Sequence, residues 1–302
     1  MSETEKLQSV FQNLSSESSL GERSYWCCLF TRDGAETLAI TLSSIVHQSI
    51  PPSFIIVIDD GSTDRTPQIL REIRYTFPIL FIIKTDSKTR DLRRAPRLLN
   101  LGLAESERKP ETSFMMISGD DADFPADYSE KIMSRMITEG GVAVASGDWG
   151  MTTTMGLERQ PHGGGRFVRS DFMKKIGNEY PVGYGWETWL IFKAMESGYK
   201  TRNYPDIKYR HLRPFRPTNV YGWGRAMYSL GYPFYFVFLR FIRNLLVRKG
   251  QMMTPRADFS MLAGYFASLL NPGEIRGLVI QDRLLKRFVK RTCTSRLVEL
   301  LI

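Results

Sequence analysis

Cysteine and histidine are scarce in this sequence, with three of each among 302 residues. Cys27 and Cys28 are adjacent in an apolar stretch. Because neighbouring residues of a strand point to opposite faces, these two thiols are poorly placed to bridge each other. The pattern therefore disfavours a disulfide framework or a cysteine-based metal site. It predicts buried thiols in a protein of a reducing compartment.

Long hydrophobic runs are missing as well. The apolar stretches Gly231 to Leu239 and Met261 to Leu270 are too short for a bilayer, which takes about 20 residues. The stretch Met1 to Arg23 is rich in Ser and Glu and has no apolar run of the kind that a signal peptide carries. We therefore expect a polar, mobile leader at 1–23, in a cytoplasmic protein.

Positive charge is concentrated in the C-terminal third. The formal net charge is +9, but residues 1–199 carry 22 Lys and Arg against 27 Asp and Glu, whereas residues 200–302 carry 19 against 5. A basic region of this kind can meet nucleic acid, anionic lipid or an anionic substrate. Such an asymmetry calls for a reason beyond solubility.

The aromatic stretch of this region predicts an amphipathic helix. On a helix, one face would hold Phe234, Phe238, Phe241 and Leu245, and another would hold Arg240, Arg243 and Val247. This pattern fits a helix on a membrane surface, where Arg240, Arg243, Arg248 and Lys249 would reach lipid head groups. It also fits a helix packed against the catalytic domain or a second subunit.

Short apolar runs alternate with helical patterns in the first two thirds of the chain. The runs are Tyr25 to Phe30, Phe54 to Ile58, Leu80 to Ile83 and Phe114 to Ile117, and the helical stretches are Glu36 to His47, Thr66 to Tyr75 and Leu92 to Glu105. Strands separated by helices predict an α/β fold with a mainly parallel sheet. Ligands bind such sheets at the carboxyl ends of the strands.

Two of the apolar runs end in clustered carboxylates. Asp59 and Asp60 follow the second run, where a carboxylate could contact a nucleotide base or a metal-bound phosphate, or only cap the next turn. Asp120, Asp121 and Asp123 follow the fourth run. Three acids so close together repel one another unless a cation lies among them, and Mg²⁺ and Mn²⁺ prefer oxygen ligands. The competing interpretation is a solvated acidic loop.

These motifs together resemble the family 2 glycosyltransferases, whose GT-A fold is a Rossmann-like, mainly parallel sheet flanked by helices. The run Ile55 to Thr66 looks like the nucleotide-binding strand and turn of that family, and the Asp120-Asp121 region looks like its acidic metal motif. The segments Phe30 to Gly34 and Asn100 to Ala104 fit the same pattern. The resemblance covers roughly residues 24–215, which are therefore the expected GT-A catalytic domain. The basic, amphipathic pattern after it predicts a helical C-terminal extension at 216–302.

The resemblance implies a nucleotide site and a metal site for Mn²⁺ or Mg²⁺. The expected nucleotide-binding residues are Thr31, Arg32, Asp33, Asp60, Arg94 and Asp120, with Arg94 drawn from the basic group Arg90, Arg93, Arg94 and Arg97. The expected metal ligands are Asp121, Asp123 and His211. Gly119 stands where many relatives carry the first acid of an Asp-x-Asp triplet, so both Asp121 and Asp123 remain candidates for the direct ligand.

The resemblance also implies a catalytic base at the start of a later helix. Relatives often carry a Glu-Asp pair there, and in this sequence Trp186-Glu187 takes its place, so Glu187 is the expected base. Trp186 and Trp189 could form a sugar-stacking wall, and Gly164 could let the backbone approach the donor sugar. The alternatives are an acid that only stabilises a helix N-terminus and a glycine that only forms a tight loop.

The function expected from this resemblance is inverting transfer of a sugar, most simply from a UDP-sugar, to a hydroxyl of a saccharide or lipid-linked acceptor in polysaccharide or glycoconjugate synthesis. The C-terminal extension would hold the enzyme on the inner face of the cell membrane, with no nucleic-acid partner and with a homo-oligomer possible in principle. Two alternatives are a nucleotide-sugar-forming nucleotidyltransferase and a non-catalytic nucleotide-binding module. The nucleotidyltransferase should carry a Gly-rich loop after its first strand, where this chain has Gly34 alone.

Overall fold

Strands and helices alternate along the chain, as the apolar pattern predicts, in a computed structural model that describes residues 23–85, 93–150, 160–214, 220–246 and 254–295. The strands are β1 (Tyr25–Thr31), β2 (Ile55–Asp60), β3 (Leu80–Thr85), β4 (Phe114–Ser118), β5 (Ala122–Asp123), β6 (Val142–Asp148), β7 (Arg166–Arg169), β8 (Lys200–Lys208) and β9 (Arg210–His211). The helices are α1 (Leu38–Val46), α2 (Thr66–Thr76), α3 (Arg94–Ser106), α4 (Tyr128–Glu139), α5 (Ser170–Lys175), α6 (Trp186–Glu196), α7 (Val220–Ser229), α8 (Phe234–Leu246), α9 (Pro255–Leu270) and α10 (Arg283–Ser295), with a 3₁₀ helix at Pro272–Leu278.

Seven strands form one sheet in the order β3-β2-β1-β4-β7-β6-β8. Strands β3, β2, β1 and β4 are parallel, β7 runs antiparallel to both of its neighbours, and β8 is parallel to β6. The predicted α/β fold with a mainly parallel sheet is confirmed. Strands β5 and β9 form a separate pair that places Asp123 opposite Arg210 and Ala122 opposite His211.

Both faces of the central strands are covered, which explains their unbroken apolar runs. Cys28, Ile56 and Ile58 belong to the core on one side of the sheet, and Cys27 and Val57 belong to the core on the other side. Both thiols are buried and free, and burial raises the pKa of Cys28 to about 12. The prediction of buried, unpaired thiols at this position is therefore confirmed.

The C-terminal helices share a hydrophobic core with the sheet. Tyr232, Val237 and Val289 lie in the same buried cluster as Ile56 of β2. Helices α7 and α9 cross so closely that a Cβ added at Gly224 would lie 1.9 Å from the carbonyl oxygen of Met261. No side chain larger than hydrogen fits at that crossing, and the two helices therefore pack as one unit against the sheet.

The structure corrects the predicted faces of α8. Phe234 and Phe238 are exposed, whereas Arg240 is only 6% exposed. The face that packs inward carries Val237, Arg240, Phe241 and Asn244, because Asn244 donates a hydrogen bond of 2.9 Å to the buried Asp258 of α9. Arg240 is therefore unavailable for a lipid head group, contrary to the prediction. Among the described residues, no helix is long and apolar enough to cross a membrane.

Some predictions fall on other parts of the chain. The expected leader lies outside the described residues, except for Arg23 at its end. The same holds for four other residues named above, which are Arg90, Val247, Arg248 and Lys249.

Candidate active site

The carboxyl ends of β1 and β4 bring Thr31 and Asp120 together. Thr31 Oγ1 donates a hydrogen bond of 2.5 Å to Asp120 Oδ2, and Arg213 Nη1 donates to the other carboxylate oxygen over 3.0 Å. Burial raises the pKa of Asp120, while the contacts with Thr31 and Arg213 oppose that rise. The residue is thus a buried, fully engaged acid at the edge of the sheet where nucleotides bind α/β folds.

Gly34 makes this arrangement possible. A Cβ at position 34 would lie 2.1 Å from Asp120 Oδ2 and 2.4 Å from Thr31 Oγ1. Such distances are far inside van der Waals contact, so any other residue would push the two side chains apart. The single glycine of the first loop is therefore explained by the packing of Thr31 against Asp120.

Asp33 ties the loop after β1 to the loop after β2. Its Oδ1 accepts a hydrogen bond of 2.8 Å from the backbone N–H of Thr63, and its own N–H donates to Ser62 Oγ over 2.9 Å. The Thr63 backbone contact lowers the pKa of the Asp33 carboxyl. Asp59 accepts from the N–H of Ser62 over 3.0 Å, so it caps the turn, as the simpler interpretation of that residue expected.

Asp60 is surrounded by cationic side chains. Its carboxylate has no exposed surface; it accepts hydrogen bonds from Arg94 and from Thr85 Oγ1, the latter at 2.6 Å, and Arg32 Nη1 lies 3.9 Å away. Burial lowers the pKa of Arg94, and the charge of Arg32 lowers it further. Two guanidinium groups around one carboxylate leave a net positive charge that suits a diphosphate.

Asp121 and His211 form the only part of the expected metal site that the fold assembles among the described residues. His211 Nε2 lies 3.6 Å from Asp121 Oδ2, and Nδ1 of the same ring is 2.7 Å from the carbonyl oxygen of Arg213. Because a carbonyl only accepts hydrogen bonds, Nδ1 is the donor in this contact, and the contact orients Nε2 toward Asp121. An imidazole nitrogen beside a carboxylate oxygen is a donor set that Mn²⁺ accepts.

Asp123 does not join that pair. Its carboxylate forms an ion pair of 2.7 Å with Arg210, the residue opposite it in the β5–β9 pair. The described residues contain no group of three His, Cys, Asp or Glu side chains placed to hold a metal ion. The three expected ligands are therefore not brought together as one cluster: Asp121 and His211 lie side by side, and Asp123 is paired with Arg210.

Glu187 begins α6 beside a buried arginine. Arg166 Nη2 donates to Glu187 Oε1 over 2.9 Å, and the side chains are 3% and 46% exposed, respectively. Arg166 also donates to the carbonyl oxygens of Pro161 and His162, each at 2.9 Å. One guanidinium therefore fixes the glycine-rich loop and orients an accessible carboxylate, a combination that suits a general base.

Two aromatic side chains connect Glu187 to the Asp121–His211 pair. Trp149 packs against His211 with ring centroids 4.7 Å apart and against His162 at 6.1 Å. His162 Nε2 lies 3.2 Å from Asp148, and burial lowers the pKa of this histidine even though the carboxylate opposes the shift. His162 and Trp149 thus lie between the Arg166–Glu187 pair and the Asp121–His211 pair.

The remaining expected residues lie in different surroundings. Trp186 lines a cavity of 340 Å³ that Glu187 also lines. Gly164 is near the hydroxyl of Tyr209, which would lie 3.2 Å from an added Cβ. Trp189 is buried in the core beside Tyr180 and has no face available to a sugar, so its expected stacking role is corrected to a packing role.

Sequence reasoning missed Arg166 and Arg213. Arg213 bridges Asp120 to Thr37 Oγ1, the latter at 2.9 Å, and joins the end of β9 to the start of α1. Neither arginine lies in a motif, since each acts on an acid distant in sequence. Arg166 is buried in β7, and a buried charge needs a partner, but its burial is visible only in the structure.

The sequence matches the model of one known protein family. A family model described as Glycosyl transferase family 2 matches residues 27–198, more than half of the chain. No curated protein sequence gives a significant match.

Several solved structures share the fold. Mannosyltransferase PcManGT from Pyrobaculum calidifontis, in complex with GDP-Man and Mn²⁺, is 17% identical, with a TM-score of 0.54 over 92% of this chain and 85% of that one. TarS 1-349 from S. aureus is 15% identical, with a TM-score of 0.50 over 87% and 77%. Glucosyl-3-phosphoglycerate synthase from Mycobacterium tuberculosis, in complex with Mn²⁺, UDP and glucosyl-3-phosphoglycerate, is 16% identical, with a TM-score of 0.51 over 68% and 78%. At these identities the likeness concerns the fold alone, which is GT-A.

Proposed function

This chain belongs to glycosyl transferase family 2, and from that premise we propose that it moves a sugar from a nucleoside-diphosphate sugar to an acceptor hydroxyl with inversion. That it is a glycosyltransferase confirms the expectation from the sequence. The observation that carries the finer proposal is the Asp121–His211 pair, in which Asp121 follows the end of β4 and His211 belongs to β9.

The nucleotide end of the proposed site is formed by the loops after β1 and β2. Asp33 joins these two loops, and Thr31 joins the end of β1 to Asp120. Arg32 and Arg94 supply positive charge for the diphosphate. Asp121 and His211 would hold a divalent cation, Mn²⁺ or Mg²⁺, which stabilises the charge of the leaving diphosphate when bound. The structures of PcManGT and of the synthase were solved with Mn²⁺ and with GDP-Man or UDP, which supports a nucleotide of this class.

Glu187 is proposed as the base. The acceptor oxygen forms its bond to the anomeric carbon while the bond from that carbon to the diphosphate oxygen breaks. Glu187 takes the acceptor proton, and the nucleoside diphosphate leaves with the electron pair. Arg166 keeps the carboxylate aimed at the cavity without covering it, since the Glu187 side chain remains 46% exposed.

A donor screen tests this proposal. The full chain is incubated with UDP- and GDP-sugars and Mn²⁺, and nucleoside diphosphate release is measured with and without a chelator. Release that depends on the cation is expected. A nucleotidyltransferase would instead release pyrophosphate from a nucleoside triphosphate and a sugar phosphate, and that product would overturn the proposal.

We also propose that the C-terminal helices meet an anionic membrane surface, where a lipid-linked acceptor would be available. Phe234, Phe238 and Phe259 are exposed on α8 and α9. Helix α10 buries Leu285, Val289 and Cys293 and exposes Arg283, Arg287, Lys290 and Arg291. Exposed aromatic rings and a basic helix face both suit the interfacial zone of a bilayer.

A further inference from the structure

A cavity of 340 Å³ lies between the start of α6 and the C-terminal helices. Glu187 and Trp186 line it from α6, Trp223 and Met227 line it from α7, and Arg240 lines it from α8. The proposed base and a buried guanidinium therefore line the same cavity. That space is large enough for one or two sugar rings, within the range typical of small-molecule sites.

Arg240 is buried without a full set of hydrogen bonds. The residue is 6% exposed, and its Nη2 has no hydrogen-bond partner among the described residues. Buried charges are normally paired and hydrogen-bonded, because leaving water is costly for them. An arginine that lines a cavity with a donor left over is therefore poised for an anion.

A second donor points to the same cavity. Gln160 also lines it, and its Nε2 is buried with no hydrogen-bond partner among the described residues. The Gln160 amide and the Arg240 guanidinium belong to segments 80 residues apart. Their meeting in one cavity therefore does not follow from local sequence. The rest of the lining is largely apolar or aromatic, including Tyr184, Trp223 and Tyr232.

We propose that this cavity is the acceptor site and that it selects an acceptor with an anionic group, a carboxylate or a phosphate, which Arg240 and Gln160 bind while the reacting hydroxyl lies at Glu187. This inference rests on the proposed function, because Glu187 is taken as the base. The aromatic lining packs against the sugar ring of the acceptor. The arginine excludes neutral competitors, since a desolvated cation left unpaired weakens their binding.

The groups around Arg240 allow one competing role. Asp258 of α9 attracts the guanidinium, and Arg243 repels it; burial lowers the pKa of Arg240 more than either changes it. Asp258 accepts a hydrogen bond at Oδ1 from Asn244, and its Oδ2 has no hydrogen-bond partner among the described residues. A purely structural arginine would compensate Asp258 and would not affect ligand choice. The two roles differ in what they predict for ligand binding.

Calorimetric titration of the full chain separates them. The probes are methyl β-glucuronide and glucose 6-phosphate, compared with the neutral methyl β-glucoside, and the variants are Arg240→Met, Arg240→Lys and Arg243→Met. We expect the native chain to bind at least one anionic probe about tenfold or more tightly than the neutral one. Arg240→Met should remove this difference, Arg240→Lys should keep part of it, and Arg243→Met on the same helix should leave it intact. The two anionic probes distinguish a carboxylate site from a phosphate site.

Equal binding of the three probes by the native chain would overturn the proposal, as would an anion preference that survives Arg240→Met. If that variant does not fold, Gln160→Met provides the test and should weaken anion binding severalfold. UDP and GDP binding with Mn²⁺ is measured in parallel. Loss of the anion preference with intact nucleotide binding supports the acceptor site. Anion selection without any nucleotide binding would refute the proposed function and leave the anion site standing.

Discussion

Arg166 Nη2 and Glu187 Oε1 lie 2.9 Å apart, and they join an almost enclosed guanidinium to a carboxylate that remains accessible. The arginine comes from β7, the antiparallel strand in the middle of the sheet, and the glutamate begins α6. The pair thus holds a proton acceptor in one position while leaving room for a substrate. Its geometry motivates the first two predictions.

Replacing Glu187 by Gln should lower kcat by about 10² or more and leave donor affinity unchanged, because the amide keeps the shape but accepts no proton. Steady-state kinetics and nucleotide titration measure the two effects. Glu196→Gln, at the other end of the same helix, is the matched control and should stay near native turnover. Native turnover in Glu187→Gln would assign the base elsewhere, with Asp123 the next candidate.

Arg166→Met should lower both turnover and stability. The carbonyl oxygens of Pro161 and His162 lose their donor, which costs about 1–3 kcal/mol in the free energy of unfolding. If the arginine acts through Glu187, the double variant with Glu187→Gln should turn over no more slowly than Glu187→Gln alone. Denaturant unfolding and kinetics test these points, and fully additive losses in kcat would contradict a positioning role.

Asp121→Ala should abolish metal-dependent binding of UDP and GDP without unfolding the protein. The structure supplies a sharp control, since Asp123 is paired with Arg210 instead of His211. Asp123→Ala should therefore keep most of the metal dependence. Calorimetry with and without Mn²⁺ compares the two variants. Unchanged metal-dependent affinity in Asp121→Ala would refute the metal site.

Gly34→Ala should weaken nucleotide binding and destabilise the fold by about 1–3 kcal/mol, because the new methyl group collides with Asp120 and Thr31. Gly277→Ala, where an added Cβ meets nothing within 4 Å, is the control and should behave as the native chain does. Thermal unfolding and titration with UDP and GDP check both variants. Native stability and affinity in Gly34→Ala would show that the Thr31–Asp120 contact is dispensable.

Charge reversal on α10 should weaken binding to anionic vesicles. Arg283, Arg287 and Lys290 are exposed there, and each basic residue near an anionic leaflet contributes about 1 kcal/mol. The triple change to Glu should reduce flotation with anionic vesicles, and binding by the native chain should fall with salt. Arg71→Glu with Arg74→Glu on α2 is the control. Equal recovery of the native chain with neutral and with anionic vesicles would exclude the electrostatic contact. Recovery with neither type of vesicle would exclude it as well.

Local pattern was enough to predict β1 to β4 of the sheet and the helices α1 to α3 between them, but it did not predict β6, β7 and β8. The runs before Asp59 and Asp120 are buried in β2 and β4, and the acids emerge where these strands end. Parallel strands place their carboxyl ends at one edge, so a short motif predicts both an element and its position. The contact between Thr31 and Asp120 has the same origin, because β1 and β4 are neighbouring parallel strands.

Side-chain partners between distant segments could not be predicted in this way. Nothing local to Asp123 shows that Arg210 will neutralise it, and nothing local to Glu187 shows that Arg166 will orient it. These contacts depend on which strands become neighbours. The antiparallel insertion of β7 between β4 and β6 decides that, and an apolar pattern alone carries no strand order.

The sequence by itself determined the α/β fold, the acidic strand ends and the basic character of the C-terminal third, because each depends on periodicity, chain order or composition. Only the tertiary structure decided which face of α8 turns inward. A helical pattern of aromatic and basic residues predicts burial of the rings, yet the close packing of α8 on α9 buries Arg240 beside Asp258 and exposes Phe234. Burial follows from the partner surface as well as from side-chain polarity, and that surface comes from residues distant in the chain.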